Sequence, residues 1–414
     1  MIEGNRGKDL PFLKGIRVIA ITWVWAGPWM GAVLADMGAE VIKIETNQRL
    51  DHQRITRILE DPGKEFSQKP DINHGLFNIT NRGVKSCTLN LKQPEGVEIF
   101  KKLVKISDIV ITNLSPRVMP GWGLDYTRLK EIKPDIILVS LPAFGSTGPD
   151  KDYVSYASTI EAAGGLSASF GYPGEEPVLS GTYPGDPIGS MYGVFSVLAA
   201  LNYRSITGRG QHVDVAQSES VASLIPEVTM EYVINGRIRP RMGNRDEIMA
   251  PHACYPCKGE DKWVAIAVSN DVEWRALCNV MNNPEWTKDE KFSDQFSRWQ
   301  NQDELNKLIA TWTKDCTHYE VMHKLQKAGV AAGASLNIEE AINDPHIKER
   351  GVFIEQTHPV AGKTIVYRSP WTSALTASHD PAPCLGEHND YVFNKLLGIS
   401  EKEIDQLIDK KVIY

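Results

Sequence analysis

The sequence has no long apolar run and no cluster of basic residues. No window approaches about 18 uninterrupted apolar residues, and the N-terminus lacks the charged-then-apolar order of a signal peptide. The formal net charge is −7, and Lys and Arg are scattered along the chain, which argues against nucleic acid and anionic membranes as partners. These absences predict a soluble, cytoplasmic protein.

Cysteine is also scarce. Six Cys in 414 residues, widely spaced, are too few for a disulfide framework and fit reduced thiols. Cys254 and Cys257 form a C-x-x-C pair, a spacing found in metal sites and redox pairs. Because no second ligand pair follows at a matching spacing, small buried hydrophobes are the favoured interpretation. No metal site is predicted.

A dinucleotide-binding loop is missing as well. An apolar run at 16–21, a helix opening at Ala26-Gly27-Pro28 and a second run at 40–45 form a β-α-β unit, which predicts a parallel sheet. Glu45 ends the second strand where a ribose-binding carboxylate would lie. However, the intervening turn lacks G-x-G-x-x-G, and its tryptophans would crowd a pyrophosphate. Nicotinamide binding is therefore disfavoured.

The alternation of strands and helices continues along the chain. Strands are predicted at 87–91, 108–113 and 135–141 and helices at 94–104 and 124–132, with a polar terminus at 1–12 and a polar excursion at 46–75. The length predicts two domains. A change near Pro226 places a smaller α/β domain at 226–332, with a strand at 263–268. The predicted fold is α/β, with an open, Rossmann-like parallel sheet in residues 1–225.

Three segments follow predicted strands at the edge where an open parallel sheet binds ligands. They are 23–27, 113–119 and 142–148, and all three are rich in Gly, Pro and small residues. Together they suit an extended ligand with a phosphate-bearing end, although no Walker loop is present.

Asp186 lies in a Gly- and Pro-rich turn, 179–190, directly before an apolar run that predicts a buried helix at 187–204. Asp is a preferred N-cap and Pro187 suits the first helical position, so one interpretation is a plain helix start. The other is a catalytic carboxylate, because the flanking glycines allow close approach of an acyl group and a carboxylate can act as a covalent nucleophile. The turn alone leaves both open.

Taken in order, several short segments resemble the class III CoA-transferases, which include formyl-CoA:oxalate and carnitine CoA-transferases. Each is weak alone, and the resemblance runs from about residue 12 to the C-terminus. The segments are Leu13-Lys14-Gly15-Ile16-Arg17-Val18, Ala26-Gly27-Pro28, residues 35–45, Leu89-Asn90-Leu91-Lys92, Gly208-Arg209-Gly210-Gln211, Val213-Asp214-Val215 and Leu385-Gly386-Glu387-His388.

The resemblance implies a large CoA-binding domain that takes both chain ends, 1–225 and 333–414, and an interlocked dimer or a pairing with a homologous sister subunit. It places the family's nucleophilic aspartate on Asp186, which would form aspartyl anhydride and aspartyl-CoA intermediates. CoA enters as a thioester substrate, and no tightly bound cofactor is implied. The residues expected near CoA are Val24, Trp25, Ala26, Lys85, Asn113, Arg117 and Phe144.

The chain also departs from the family pattern. Trp25 replaces a glutamine beside the acyl group, and with Trp23 and Trp29 it suggests a larger, more apolar acyl group, although a tryptophan packed in the core is the alternative. The usual basic residue before Gly-x-Gly is missing at 121–123, and Arg117 is the candidate replacement. An acceptor such as an aryl- or alkylsuccinate, with succinyl-CoA as donor, fits an apolar pocket. The loop Met242-Gly243-Asn244-Arg245 is expected to set substrate choice.

Two other functions stay open at this point. Acyl-CoA racemases share the fold but need a paired base, typically a histidine in the segment that here spans 150–156, where none occurs. A CoA-binding subunit of a hetero-oligomeric transferase is the second alternative.

Overall fold

Six parallel strands form one sheet in the computed structural model, which describes residues 11–55, 75–371 and 380–414. The strands are β1 (Arg17–Ile21), β2 (Glu40–Glu45), β3 (Lys85–Thr88), β4 (Ile109–Thr112), β5 (Ile137–Ser140) and β6 (His212–Asp214). Their order in the sheet is β3-β2-β1-β4-β5-β6, and every neighbouring pair is parallel. This is the order of doubly wound folds, so the predicted α/β fold with an open parallel sheet is confirmed.

Helices cover both faces of the sheet, as is usual for parallel sheets, and they bury its central strands. Residues 18–21 of β1 and all four residues of β4 are β-branched or alanine, and they are almost completely inaccessible. The helices of this part are α1 (Ala26–Asp36), α2 (His52–Ile55), α3 (Gly75–Thr80), α4 (Pro94–Lys105), α5 (Val118–Gly121), α6 (Tyr126–Ile132), α7 (Ala157–Ala163), α8 (Leu166–Ser169), α9 (Gly185–Thr207), α10 (Gln217–Ala222) and α11 (Pro226–Asn235).

The third strand lies earlier than the sequence predicted. The apolar pattern placed it at 87–91, whereas β3 ends at Thr88. Leu89 still donates its backbone N–H to Glu45 at 2.8 Å, but the next N–H, that of Asn90, donates to the carbonyl of Val412 at 2.8 Å. The C-terminal segment therefore takes over the backbone hydrogen bonding beyond Leu89.

The long helix α9 packs against α1 on one face of the sheet. Both helices contribute small residues where they meet, and a Cβ added to Gly193 would lie 2.4 Å from the Sδ of the buried Met30. The helix ends at Gly208, whose φ of 69° is the left-handed conformation that glycine adopts without strain. This packing fixes the N-terminus of α9 relative to that of α1.

The described contacts divide the chain into two compact units. The first comprises 1–167, 179–237 and 351–414, and the second comprises 168–178 and 238–350. The small domain predicted at 226–332 falls largely within the second unit.

The second unit contains an antiparallel three-stranded sheet packed against helices. Its strands are β7 (His252–Pro256), β8 (Trp263–Ala267) and β9 (Ala331–Ser335), in the order β7-β8-β9. Its helices are α12 (Asp271–Val280), α13 (Gln295–Gln300), α14 (Gln302–Thr313), α15 (His318–Lys327), α16 (Ile338–Asn343) and α17 (Pro345–Glu349), with 3-10 turns at Glu285–Lys288 and Glu290–Phe292. Its core includes Tyr255, Trp274 and Leu305.

The C-terminal part of the first unit adds a hairpin, β10 (Phe353–His358) and β11 (Gly362–Tyr367), a π-helical segment (Asp390–Leu396) and α18 (Glu401–Asp409). Val412 and Ile413 lie in the same apolar cluster as Ile19 of β1 and Phe100 of α4. The predictions for residues 1–10 and 56–74 lie outside the described residues. Across the residues that are described, no helix combines the length and apolar character needed to cross a bilayer.

Candidate active site

The candidate active site lies where the strand order of the sheet reverses. β1 and β4 are neighbours although β2 and β3 separate them in sequence, so the chain leaves their carboxyl ends in different directions and opens a crevice. A cavity of about 240 Å³ occupies this edge. Its lining includes Val24, Asn113 and Asp186, three residues that the sequence singled out. The structure therefore brings the turn after β1, the loop after β4 and the start of α9 to one cavity.

Asp186 is not an N-cap. Helix α9 begins at Gly185 with Pro184 in the capping position, and no side chain caps it. Asp186 lies inside the first turn, 9% exposed, and its Oδ1 accepts a hydrogen bond from the backbone N–H of Ala26 at 3.2 Å. The cap interpretation is therefore wrong, because the carboxylate is bound to another segment and not to the amides of its own helix.

The surroundings of Asp186 change its acidity. Burial raises the pKa of this carboxyl to about 6, while the Ala26 N–H acts in the opposite direction. Asp186 lies in the first turn of α9 and bonds to the first residue of α1, so two helix N-termini, each with a partial positive charge, converge on it. The group is an anion at neutral pH, but a poorly hydrated one, which favours its use as a nucleophile.

Ser190 joins the two helix starts. Its buried Oγ lies 2.6 Å from the carbonyl of Ala26 and 2.7 Å from that of Asp186, close enough to donate to either. Ala26 is thus held at both its N–H and its C=O by residues of α9. The contact between Ala26 and Asp186 belongs to a rigid junction of α1 and α9.

Asn113 holds the turn that follows β1. Its Oδ1 accepts from the N–H of Trp23 at 2.8 Å, and its Nδ2 donates to the carbonyl of Trp23 at 2.7 Å. A Cβ on Gly27 would come within 2.5 Å of the same side chain. Asn113 therefore both lines the cavity and holds the backbone of the turn. A side chain at position 27 would clash with it, so glycine is required there.

Trp25 is not among the residues that line this cavity. Its ring stacks on Trp29 with centroids 5.9 Å apart and planes 7° apart, and Trp29 contacts Tyr367. The indole Nε1 of Trp25 is buried and has no hydrogen-bond partner in the described part of the chain. The Trp25 ring therefore packs on Trp29, although the residue as a whole is only half-buried.

The other predicted residues, Phe144, Arg117 and Lys85, do not line this cavity. Phe144 packs edge-on against Tyr153, which is part of the lining. Arg117 is exposed and lines a neighbouring cavity that shares Ser115 and Lys151 with the first. Lys85 is not brought to the cavity, because it lies at the amino end of β3.

Arg49, Lys151 and Gln217 are among the lining residues that the sequence did not predict. The guanidinium of Arg49 lies 4.0 Å from the ring centre of Trp23, and Arg49 also lines a second cavity of about 210 Å³ beyond the ends of β1 and β2. Buried Gln217 donates its Nε2 to the carbonyl of Leu141 at 3.0 Å, while its Oε1 has no partner in the described part of the chain. The only sequence signal for the two basic residues was their position in polar segments after strands.

Of the described residues that line the cavity with Asp186, none is histidine. His212 lines the neighbouring cavity, where its Nε2 lies 2.9 Å from the Oγ of Ser140 and burial lowers its pKa. The histidine that a racemase typically uses as its second base is therefore not found among these described lining residues.

The remaining candidates lie in the second unit. Cys257 is buried, and burial raises its thiol pKa to about 11, but Cys254 is exposed, so only one of the pair fits the buried-hydrophobe interpretation. Within the described ranges, no group of three His, Cys, Asp or Glu side chains could hold a metal ion. In the predicted substrate loop, Arg245 pairs with Asp303.

Comparison with known proteins identifies the family of the chain. The chain is 33% identical over 404 residues to the succinyl-CoA--D-citramalate CoA-transferase of Chloroflexus aurantiacus, which covers 97% of this chain and 98% of the relative. It is 35% identical over 415 residues to the succinyl-CoA--L-malate CoA-transferase alpha subunit of the same organism, covering 99% and 94%. The crystal structure of a CAIB/BAIF family protein from Brucella suis superposes with a TM-score of 0.83 at 30% identity, covering 94% and 100%. The model of CoA-transferase family III matches residues 13–389, and the chain therefore belongs to this family.

Proposed function

We propose that this CoA-transferase moves CoA from succinyl-CoA to a carboxylic acid through covalent intermediates on Asp186. The observation that carries the proposal is the buried Asp186 carboxylate, with a pKa of about 6, in the cavity at the switch point of the sheet. The names of the two Chloroflexus relatives, both of which use succinyl-CoA, support the choice of donor.

The carboxylate attacks the thioester carbonyl of the donor, the C–S bond breaks, and the products are a mixed anhydride and CoA thiolate. The thiolate then attacks the aspartyl carbonyl, which gives an aspartyl-CoA thioester and releases the donor acid. The acceptor carboxylate attacks this thioester and expels the thiolate. Thiolate attack on the acyl carbonyl of the new anhydride forms the product thioester and frees Asp186. Because every intermediate is an anhydride or a thioester, the free energy of the donor thioester is retained, provided that water is excluded.

CoA itself carries phosphates, and the cavity offers cations to meet them. Arg49 and Lys151 line it, and Arg117 and Lys92 line the cavities on either side. We place the thioester beside Asp186 and the phosphates along these side chains. The predicted contact of Lys85 with CoA has no support from this geometry, since its ammonium lies 5.2 Å from the ring centre of Tyr391.

For the acceptor, we propose a fairly apolar acid such as an aryl- or alkylsuccinate. Support comes from the lining, which includes Trp23, Val24, Tyr153, Tyr156 and Ile160. The packing of the Trp25 ring against Trp29 weakens the original argument from Trp25, so the proposal rests on these other side chains.

We also propose that the chain acts in the cytoplasm as an interlocked dimer with a second copy, a sister subunit being the alternative. Helix α11 supports this, because none of its residues is buried while Met230, Tyr232, Val233 and Ile234 are at least half exposed. The alpha subunit among the relatives supports the alternative.

The test is mass spectrometry of the protein mixed with acyl-CoA donors, including succinyl-CoA, and quenched with hydroxylamine. We expect a hydroxamate or a CoA adduct on the peptide that contains Asp186. Asp186→Ala should form no adduct and lose transfer by at least about 10³-fold, because the nucleophile is gone. It should still fold and bind CoA.

Asp294→Ala is the matched control, since Asp294 is a true N-cap whose Oδ1 accepts from Ser297 N–H at 2.9 Å. This variant should lose about 1 kcal/mol of stability and keep its turnover. Normal turnover by Asp186→Ala would refute the mechanism, and a comparison of benzylsuccinate with L-malate as acceptor would test the apolar substrate separately.

A further inference from the structure

The turn between β1 and α1 contains a strained residue. Val24 has a φ of 63°, in the left-handed region that a β-branched side chain disfavours. Ala26, whose N–H binds Asp186, follows two residues later. Relaxation of Val24 would swing the Ala26 N–H away from the carboxylate, so something must hold the turn in place.

A buried ion pair contacts the strained residue directly. The Oδ1 of Asp51 accepts the backbone N–H of Val24 at 3.1 Å and that of Gln53 at 3.0 Å. Its Oδ2 accepts from the ammonium of Lys43 at 2.6 Å, and both side chains of the pair are 1% exposed. The Oδ1 of Asn81 accepts a second hydrogen bond from Lys43 at 2.8 Å. Lys43 is a residue of β2 and Asp51 directly precedes α2, so both are anchored in regular structure.

We propose that Lys43 and Asp51 are positioning residues of the transferase, which act through the backbone of Val24 to aim the Ala26 N–H at Asp186. The inference rests on the proposed role of Asp186 and adds a pair of residues that do not touch its carboxylate. The chain of contacts is continuous: Lys43 fixes Asp51, Asp51 fixes Val24, and Ala26 then meets Asp186 at 3.2 Å. The pair Asn113 and Trp23 holds the other side of the turn.

A purely structural role is the competing explanation, because Asp51 also caps α2 through Gln53. Single deletions would not separate the two, since an unpaired buried Lys43 destabilises the fold by itself. The pair is therefore replaced as a unit, Lys43→Met with Asp51→Leu, which removes both charges and fills the space. Asp36→Leu with Arg82→Met is the matched control, a buried ion pair at 2.5 Å with 1% exposure on both sides that joins the last residue of α1 to the segment after α3.

The first measurement is kcat/KM against pH with succinyl-CoA, which reports the free enzyme. Loss of the Ala26 hydrogen bond should raise the pKa of Asp186 further, so the acid limb should move to higher pH and the plateau should fall about 10- to 100-fold. The control variant should at most have a lower melting temperature. Its kcat/KM should fall at low pH in the same range as that of the wild-type protein.

The second measurement repeats the replacement in a Val24→Gly background. Glycine adopts a positive φ without strain, so the turn needs the ion pair less, and the loss of kcat/KM should be about tenfold smaller than with Val24. Equal losses in both backgrounds would contradict the proposal, and so would a rise in KM with no movement of the acid limb.

A crystal structure of the Lys43→Met/Asp51→Leu variant tests the positioning role without any measurement of activity. We expect Val24 to leave the left-handed region and the Ala26 N–H to lie beyond hydrogen-bond distance of Asp186. An unchanged turn would overturn the positioning role even if Asp186 is the nucleophile. Conversely, a wild-type protein that transfers no CoA would refute the proposed function while this structure could still show the turn released.

Discussion

At the scale of single residues, the proposed role of Asp186 leads to a prediction about how the reaction rate depends on pH. Burial raises the pKa of Asp186 to about 6, and in the mechanism that we propose the ionised carboxylate is the nucleophile. Protonation inactivates it, so kcat/KM should be constant above pH 7 and fall tenfold per pH unit well below pH 6. Stopped-assay rates between pH 4.5 and 8.5 measure this limb.

A second donor whose acyl group has no free carboxylate separates the enzyme's titration from that of succinyl-CoA. The low-pH fall in kcat/KM should lie in the same pH range with both donors. A limb near pH 4, the usual range of an aspartic acid, would mean that the carboxyl is far better hydrated in solution than its 9% exposure implies.

The sequence pointed to the segments 23–27 and 113–119 because segments that follow the strands of a parallel sheet converge at one edge, and the family resemblance then implied Val24, Ala26, Asn113 and Asp186 as the site residues. It did not identify Asp51. That residue acts through a partner 27 positions away, and nothing in a linear pattern records the contact. The sequence also left two interpretations of Trp25 open, because stacking on Trp29 depends on side-chain direction, which a linear pattern does not record.

At the scale of elements, the site depends on how closely α1 approaches α9. Gly193→Ala should destabilise the protein by about 1–3 kcal/mol, because the new methyl group would lie 2.4 Å from the Sδ of the buried Met30. Gly121→Ala is the control, since a Cβ there meets nothing within 4 Å. Urea denaturation compares the two variants.

The same substitution should lower kcat more than it raises KM, because the two helices carry the two partners of the Ala26–Asp186 hydrogen bond. A Gly193→Ala variant as stable as Gly121→Ala would show that Met30 moves aside at little cost.

Elements with a strong period were predicted well. β2 was predicted at its observed bounds and α4 within one residue, since apolar periodicity and an N-terminal proline mark them. Helices α7, α10 and α11 and the hairpin of β10 and β11 were not predicted. Helix α11 has no buried residue, so no inward-facing stripe distinguishes it from a loop in the sequence.

At the scale of the whole molecule, strand and helix alternation predicted the parallel sheet, but it carried no information on where the chain ends. Val412 pairs with Asn90, and His388 donates its N–H to the carbonyl of Ser86, over separations of some 300 residues. Only the family resemblance implied that both ends belong to one domain. Contacts of that range depend on the complete fold and leave no local pattern.

The exposed face of α11 leads to a prediction about assembly. Met230, Tyr232, Val233 and Ile234 present an apolar surface that a second copy would cover, so the protein should elute in light-scattering chromatography at twice its 46.1 kDa. Val233→Glu should shift it toward the monomer, because burying an unpaired carboxylate is costly. Ile338→Glu, a change at a similarly exposed residue of α16, should leave the mass unchanged. A wild-type monomer, or equal effects of both substitutions, would show that α11 is not the interface.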